Sequence, residues 1–141
     1  MVQKSGSAKW SGDLKTGTGS ISTQTGALNE HPYGFKARFE GGPGSNPEEL
    51  IGAAHAACFS MALSMILGES DMKADEIATK ATVTLEEKDG GFAITKIHLD
   101  LTAKIPGASE ADFMEAATKA KENCPVSKLM NAEITMDAKL A

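Results

Sequence analysis

The sequence predicts an α+β fold in which mostly antiparallel sheets pack on one long buried helix. Apolar and polar residues alternate over 77–88 and 92–105, as they do in half-buried strands. Residues 50–67 form a mostly apolar run that is typical of a buried helix. Strand-like and helix-like segments are partly segregated along the chain, which favours α+β over a parallel α/β sheet.

The first 40 residues predict three short strands separated by glycine-rich turns. Their expected bounds are 8–13, 19–25 and 33–40. Arg38, the only arginine in the chain, would then lie near the end of the third strand.

A strong helix start follows these strands. Asn46 is suited to the N-cap, Pro47 to the first helical position, and Glu49 stands three residues after the cap. The helix is expected to run to Leu67 and to stop at Gly68. Because it is apolar nearly all round, it must be covered on all sides.

Small residues recur at every fourth position of this helix, at Gly52, Ala56, Ser60 and Ser64. Such a row lets another backbone approach closely. Either a partner helix or a sheet could fill it, and the sequence does not distinguish between them.

The remainder predicts two strands joined by a turn at Asp89, then a helix and a final strand. Ser109 is expected to cap the helix, which should end near Cys124 because a residue before proline avoids helical geometry. Pro125 can then open a new helical turn over 126–130 with Cys124 at its N-cap. The final strand is expected at 132–140.

The length, the net charge and the N-terminal residues of the chain exclude several kinds of partner and location. The 141 residues suit one domain spanning 1–141. The net charge of −5 shows no block of one sign, so neither nucleic acid nor an anionic membrane is expected as a partner. Residues 1–10 lack the apolar core of a signal peptide, so a cytoplasmic location is expected. The run at 50–67 approaches the length of a membrane span, but its histidine, serines and glycine favour a buried helix.

The two cysteines are the main candidates for chemistry. Each could be a small buried hydrophobe, which is common for free cysteine. No Cys-x-x-Cys pair is present, so neither a zinc knuckle nor a thioredoxin-like motif is supported. Cys58 on a buried helix and Cys124 at a helix break together suit a primary thiol and a resolving thiol, since helix N-termini stabilise thiolates.

Arg38 and Glu48 are the candidate polar pair. Lowering a thiol pKa from ~8.5 to ~6 takes roughly 3.4 kcal/mol, which a fixed guanidinium in a dry pocket could largely supply. Glu48 could anchor that guanidinium through its fork. The alternatives are a solvated charge at a strand end for Arg38 and compensation of the helix dipole for Glu48.

Helix geometry constrains how Glu48 could reach Cys58. The two residues are ten positions apart, about 15 Å along a straight helix. They can hardly share a site within one copy. Two helices packed antiparallel across a two-fold axis would bring Glu48 of one copy near Cys58 of the other.

His55 lies three residues before Cys58 and could be a base or a metal ligand. One histidine and one cysteine make an incomplete zinc site. A hydrogen-bonded core histidine is the favoured interpretation.

Four segments together resemble the OsmC/Ohr family of thiol peroxidases that act on organic hydroperoxides. They are PYGFKARFEG at 32–41, NPEELIGAAHAACFSMAL at 46–63, GFAITKI at 91–97 and KENCPVS at 121–127. The surroundings of Arg38 and the Gly-Ala-Ala-His segment are closer to the OsmC (osmotically inducible protein C) branch than to the Ohr branch.

The resemblance implies an OsmC-like fold and an intertwined homodimer with two sites at its interface. It implies Cys58 as the peroxidatic thiol, Cys124 as the resolving thiol, and Arg38 with Glu48 as the polar pair. The expected substrate is an organic hydroperoxide, with hydrogen peroxide reduced more weakly, and the expected reductant is an external dithiol, suggested by the family to be a lipoyl protein. No metal or flavin cofactor is expected.

Apolar residues are expected around the thiol and would favour organic peroxides: Phe39, Phe59, Met61, Met65 and Met130. Two alternatives without turnover stay open. One is a module that binds an apolar ligand, and the other is a redox sensor whose disulfide signals to a partner.

Overall fold

The computed structural model describes all residues, 1–141, and divides into two compact units, 1–50 and 51–141. It contains six strands and four helices in an α+β arrangement, which confirms the predicted fold class. The boundary between the units falls within the longest helix.

The first unit is built on a three-stranded antiparallel sheet in the order β1-β2-β3. The indole of Trp10 and the ring of Tyr33 pack together with centroids 5.5 Å apart. Between the first two strands, the Asp13 carboxylate accepts the backbone N–H groups of Lys15 and Thr16, which closes the turn. The strands are β1 Gly6–Ser11, β2 Thr18–Thr23 and β3 His31–Tyr33.

The prediction of a strand over 33–40 was wrong beyond its first residue. A short helix α1, Phe35–Phe39, follows β3. The rings of Phe35 and Phe39 lie 4.9 Å apart, as expected for aromatic residues four positions apart on a helix. Aromatic residues favour strands in general, but here their spacing of four fits one helical turn.

The long helix α2, Pro47–Glu69, begins as predicted. The Asn46 side-chain oxygen accepts the backbone N–H of Glu49 at 2.9 Å, which satisfies one of the free N–H groups of the first turn. Glu48 and Glu49 lie in that turn, where negative charge is favourable. The helix ends two residues later than the predicted Leu67.

The second unit holds a three-stranded sheet in the order β4-β5-β6. β4 and β5 pair antiparallel, whereas β6 runs parallel to β5 and is the one exception to the predicted antiparallel pairing. Alternate residues of β5 face the core and are nearly fully buried: Ile97, Leu99, Leu101 and Ala103. The strands are β4 Glu76–Lys88, β5 Gly91–Lys104 and β6 Glu133–Leu140.

Two helices connect β5 to β6, as a parallel pair requires. The first, α3, is Glu110–Asn123, and its cap is the predicted Ser109, whose hydroxyl accepts the backbone N–H of Asp112 at 3.1 Å. The second, α4, is the short helix Pro125–Leu129. The predicted break between them is confirmed.

One face of α2 packs on the sheet of the second unit. A Cβ placed at Gly52 would lie 3.0 Å from the backbone oxygen of Ala81 on β4, and the Ser60 hydroxyl lies 2.7 Å from that of Thr79. At both of these positions the small-residue row faces a strand of its own chain rather than a partner helix. Phe59, Leu63 and Leu67 bury the same side of the helix completely.

The opposite face of α2 is not covered within the chain. Met61 is 76% exposed and Met65 is 64% exposed. Only 28% of the most apolar 18-residue window is buried, although its mean hydropathy of 1.8 would suffice for a membrane span. Within one chain the expected burial is met on one face of the helix only, and coverage of the other face by a partner stays a prediction. We define the exposed stripe as Ala54, Ala57, Met61, Ser64 and Met65.

Gly52→Ala should destabilise the protein by about 1 kcal/mol, because the added methyl meets a carbonyl held in the β4–β5 ladder. The matched control is Gly68→Ala near the end of the same helix, where a Cβ meets nothing within 4 Å. That change should raise stability by up to ~1 kcal/mol through helix propensity. Urea unfolding followed by circular dichroism measures both. Equal effects of the same sign would contradict the close approach at Gly52.

Candidate active-site residues

Cys58 lies near the middle of α2, on the flank between its buried face and the exposed stripe. It is partly buried, carries a free thiol and packs against the hydrophobic core of the second unit. The predicted position on a core helix is confirmed.

Cys124 is completely buried at the junction of α3 and α4. It is the C-cap of α3 and the N-cap of α4, with the extended backbone angles φ −62° and ψ 139° that proline imposes on the preceding residue. Its Sγ accepts the backbone N–H of Ser127 at 3.4 Å. The sulfur therefore takes the place of the oxygen that usually caps a helix.

Cys124 is among the groups that change the pKa of Cys58. Burial raises the pKa of Cys58 above its ordinary value, the backbone N–H of Val126 lowers it, and a hydrogen bond and the charge of Cys124 raise it. The net direction is upward. Within the second unit, the environment therefore opposes the thiolate that a peroxidatic cysteine needs, and the expected activation by Arg38 stays a prediction.

Arg38 and Glu48 form the predicted pair within the first unit. The Arg38 Nη2 donates to Glu48 Oε1 at 2.7 Å, and its Nε lies 3.2 Å from both carboxylate oxygens. The arginine side chain is 37% exposed and the glutamate side chain 13%. The fork of the guanidinium is thus held in a fixed direction by a carboxylate in the first turn of α2.

A cleft of about 300 Å³ in the first unit adjoins this guanidinium. The Arg38 Cζ lies 5.3 Å from the centroid of the Phe39 ring, which is itself part of the cleft wall. A cleft of this kind can hold an apolar group next to one positive charge. Its walls are formed by Trp10, Leu14, Tyr33, Gly34, Phe35, Arg38 and Phe39.

His55 is the hydrogen-bonded core histidine that the sequence favoured. It is completely buried, and its Nε2 lies 2.7 Å from the Ser127 hydroxyl. That hydroxyl also lies 3.0 Å from Cys124 Sγ. Sequence reasoning missed Ser127, although its place three residues after a capping cysteine and beside Cys-Pro was a usable signal.

The apolar residues expected around the thiol have different surroundings. Phe59 is completely buried in the core, so it cannot line an open substrate pocket. Met61 and Met65 belong to the exposed stripe, and Phe39 lines the cleft of the first unit. Met130 packs against the core of the second unit.

A separate group of potential metal ligands lies on the sheet of the second unit. Ligand atoms of His98, Asp100 and Asp137 lie within 4.8 Å of one another. Both ring nitrogens of His98 already have partners, Thr135 at 2.6 Å and Asp137 at 3.0 Å. These contacts account for the arrangement as a hydrogen-bonded surface cluster.

Comparisons with known proteins agree over nearly the whole chain. The family model described as OsmC-like protein matches residues 40–139. The chain is 54% identical over 139 residues to peroxiredoxin OsmC of Escherichia coli (strain K12), covering 99% of this chain and 97% of that protein. It is 32% identical over 123 residues to organic hydroperoxide resistance protein OhrB of Bacillus subtilis (strain 168), covering 86% and 88%.

The fold is also shared. The crystal structure of OhrB of Bacillus subtilis superposes with a TM-score of 0.69 and 25% identity, covering 97% of this chain and 98% of that one. The OsmC-like fold expected from the sequence is thereby confirmed.

Cys124→Ser should shift the alkylation of Cys58 to lower pH. Serine keeps the helix cap but cannot become an anion, so the charge that raises the pKa of Cys58 is removed. Burial, the largest cause, remains, so the shift should be partial. Iodoacetamide rates between pH 7 and 10, followed on the Cys58 peptide by mass spectrometry, measure it. An unchanged pH midpoint would mean that the two thiols do not interact.

Proposed function

The chain belongs to the OsmC-like protein family, and from this membership we infer that it is a cysteine-based peroxidase that reduces organic hydroperoxides. The observation that carries the inference is the pair of free thiols at one hydrophobic core, with Cys58 packed against that core and Cys124 part of it although 66 positions separate them in the sequence. The 54% identity to a protein named peroxiredoxin OsmC supports the same activity.

The proposed reaction needs only these two thiols and an external reductant. The Cys58 thiolate attacks the peroxide, an S–O bond forms, and the O–O bond breaks. The leaving alkoxide takes a proton and departs as the alcohol, while Cys58 becomes a sulfenic acid. Cys124 then attacks the Cys58 sulfur, forming the disulfide and releasing water. An external dithiol restores both thiols by exchange.

Arg38 is proposed as the group that offsets the effect of burial on Cys58. Because burial raises the pKa of that thiol, the reactive thiolate needs a compensating cation. Each pKa unit of lowering corresponds to about 1.36 kcal/mol of preferential thiolate stabilisation. Glu48 is proposed to act indirectly, by holding the guanidinium fork through the short 2.7 Å contact. A fixed guanidinium loses less entropy on meeting a thiolate than a free one.

A homodimer is proposed as the active assembly. The exposed stripe of α2 carries large apolar side chains that its own chain leaves in water, such as Met61 at 76% exposed. Burying apolar surface contributes about 25 cal/mol per Å², so this stripe favours association. The helical spacing of Glu48 and Cys58 supports a site built from two copies, with Arg38 and Glu48 supplied by the partner of the chain that supplies the thiols.

The proposal also names the class of peroxide, the reductant, the location and the domain organisation. The cleft beside Arg38 is lined mainly by aromatic and aliphatic side chains, which favours an alkyl or aryl hydroperoxide over hydrogen peroxide. A lipoyl protein is proposed as the dithiol reductant, and the cytoplasm as the location. Residues 1–141 are proposed to act as a single OsmC-like domain, because the family match at 40–139 crosses the boundary between the two units.

Cys58→Ser should abolish turnover of cumene hydroperoxide with a lipoylated protein as reductant. The serine hydroxyl is not ionised at neutral pH and cannot replace the thiolate as the nucleophile that attacks the peroxide. Cys124→Ser should consume about one equivalent of peroxide and then stop, with Cys58 left as sulfenic acid or oxidised further. A coupled peroxide assay and mass spectrometry of the intact protein report both results.

The two alternatives give different results in the same assay. A module that binds an apolar ligand would consume no peroxide as wild type, and a redox sensor would oxidise once without recycling. Full activity of Cys58→Ser would exclude the proposed mechanism.

Mixing two inactive variants should restore activity if the site is built from two copies. In a mixed dimer the Arg38→Ala chain still has Cys58, and the Cys58→Ser chain still has Arg38. Each mixed dimer therefore holds one complete site. Random pairing after joint refolding should recover about a quarter of wild-type activity in an isologous dimer. The control is each variant refolded alone. No recovery, with mixed dimers demonstrated by native mass spectrometry, would assign all four residues to one chain.

A further inference from the structure

A buried line of polar contacts joins His55 to Cys124 through Ser127. The His55 Nε2 lies 2.7 Å from the Ser127 Oγ, and that oxygen lies 3.0 Å from the Cys124 Sγ. The backbone N–H of Ser127 also donates to the same sulfur at 3.4 Å. His55 and Cys124 are completely buried, and Ser127 is 6% exposed. The proposed peroxidase chemistry uses neither His55 nor Ser127.

The unpaired nitrogen of His55 indicates which way the hydrogens point. Nδ1 is buried and has no hydrogen-bond partner. Burial lowers the pKa of His55 below its ordinary value of 6.5, with no charged group contributing, so the ring is neutral at neutral pH. A buried N–H without an acceptor is less tolerable than a buried lone pair without a donor. The proton therefore belongs on Nε2, which donates to the Ser127 oxygen.

This arrangement fixes the hydroxyl of Ser127. Because its oxygen accepts from His55, its hydrogen is free to point at the Cys124 sulfur. The sulfur then faces two donors from one residue, the hydroxyl and the backbone N–H of Ser127. Donors directed at a sulfur favour its thiolate form.

We propose that Ser127 is a catalytic residue of the resolving step and that His55 is its positioning residue: together they hold two hydrogen-bond donors on Cys124 so that it reacts as a thiolate. This rests on the proposed peroxidase function. His55 does not serve as the base, because an imidazolium here would bury a charge and an unpaired N–H. It acts as a fixed donor that sets the rotation of one hydroxyl.

The resolving step then balances without any further reactant. The Cys124 thiolate attacks the sulfur of the Cys58 sulfenic acid, an S–S bond forms and the S–O bond breaks. The departing hydroxide combines with the proton that Cys124 lost on ionisation, giving water. The Cys124 sulfur is oxidised and the sulfenic sulfur of Cys58 is reduced, so that both reach the disulfide level, and the peroxide-derived oxygen leaves as water.

The donors are divided between the two sulfurs. The backbone N–H of Val126 acts on Cys58, and both donors of Ser127 act on Cys124. The two thiols and His55 are the titratable groups of this line. Among the neighbouring charged side chains of α3 and α4, Glu122 and Lys128 are exposed and Lys121 is half-buried. Loss of the Ser127 donors should therefore slow resolution by Cys124 without slowing the oxidation of Cys58.

The test separates these two steps in a single turnover. Each protein is mixed with one equivalent of cumene hydroperoxide between pH 6 and 9, and samples are quenched with acid. Mass spectrometry quantifies the sulfenic acid, trapped with dimedone, and the disulfide. The variants are Ser127→Ala, Ser127→Thr, His55→Leu and His55→Gln. The control is Ser60→Ala, which removes an equally short hydroxyl contact from the same helix.

Ser127→Ala and His55→Leu should form sulfenic acid at least as fast as wild type, because a less ionised Cys124 removes charge that raises the pKa of Cys58. They should form the disulfide about 10-fold more slowly at pH 7, since hydrogen bonds to charged groups have effects of this size. The pH profile of disulfide formation should move to higher pH. Ser127→Thr keeps the hydroxyl, and His55→Gln keeps an uncharged donor that cannot act as a base, so both should recover to within about threefold. Ser60→Ala should resemble wild type.

Contrary results have distinct meanings. A wild-type protein that forms no sulfenic acid would refute the proposed function itself. Normal oxidation with a wild-type rate and pH profile of resolution in Ser127→Ala would overturn only the role of Ser127 and His55. A His55→Gln protein as slow as His55→Leu would overturn the positioning role. Folding is checked by thermal unfolding; leucine leaves no unpaired polar atom at position 55, and Ser127→Ala removes one atom, so both should fold.

Discussion

The packing of α2 on the sheet of the second unit is the constraint on which the candidate thiol site depends. Gly52 brings the helix backbone against the carbonyl of Ala81, and the complete burial of Phe59, Leu63 and Leu67 sets which face of the helix meets the sheet. With that face buried, His55 points into the core and Cys58 lies at the edge of the core. A change in the rotation of this helix would move both residues together, because helix positions three apart share neighbouring faces.

The second determinant is a break in helical structure at Cys124. Pro125 forces the preceding residue out of the helical region and then begins a new helix. The free backbone N–H groups of that new helix are thereby directed at sulfur atoms. Val126 and Ser127 distribute these donors over two cysteines, so a five-residue helix orients the polar environment of both thiols. A continuous helix would have used the same N–H groups in its own hydrogen bonds.

Much of this could be predicted from the sequence because it rests on local rules. The caps at Asn46 and Ser109 and the break before Pro125 were read from residue types at fixed spacing, and the long strands from alternation. The strand expected at 33–40 was wrong because a strand was assigned there, with its period of two residues. Phe35 and Phe39 are four positions apart, which is the spacing of one helical turn. Ser127 was missed because its contact with His55 spans 72 positions of sequence, and its local signal, three residues after a capping cysteine, shows only the contact with Cys124. The bare face of α2 could not be predicted either, since a uniformly apolar helix does not reveal which side its own chain covers.

The separation of the two thiols along the chain has a thermodynamic consequence. Cys58 and Cys124 lie 66 positions apart, on either side of β4, β5 and α3. A bond between them closes most of the second unit into one covalent loop and restricts the unfolded chain. For a loop of this length the loss of unfolded-state entropy is worth ~4 kcal/mol. The oxidised protein, with its disulfide formed, would therefore resist unfolding better than the reduced protein. Its resistance to heat or urea would rise on oxidation and fall on reduction in each catalytic cycle.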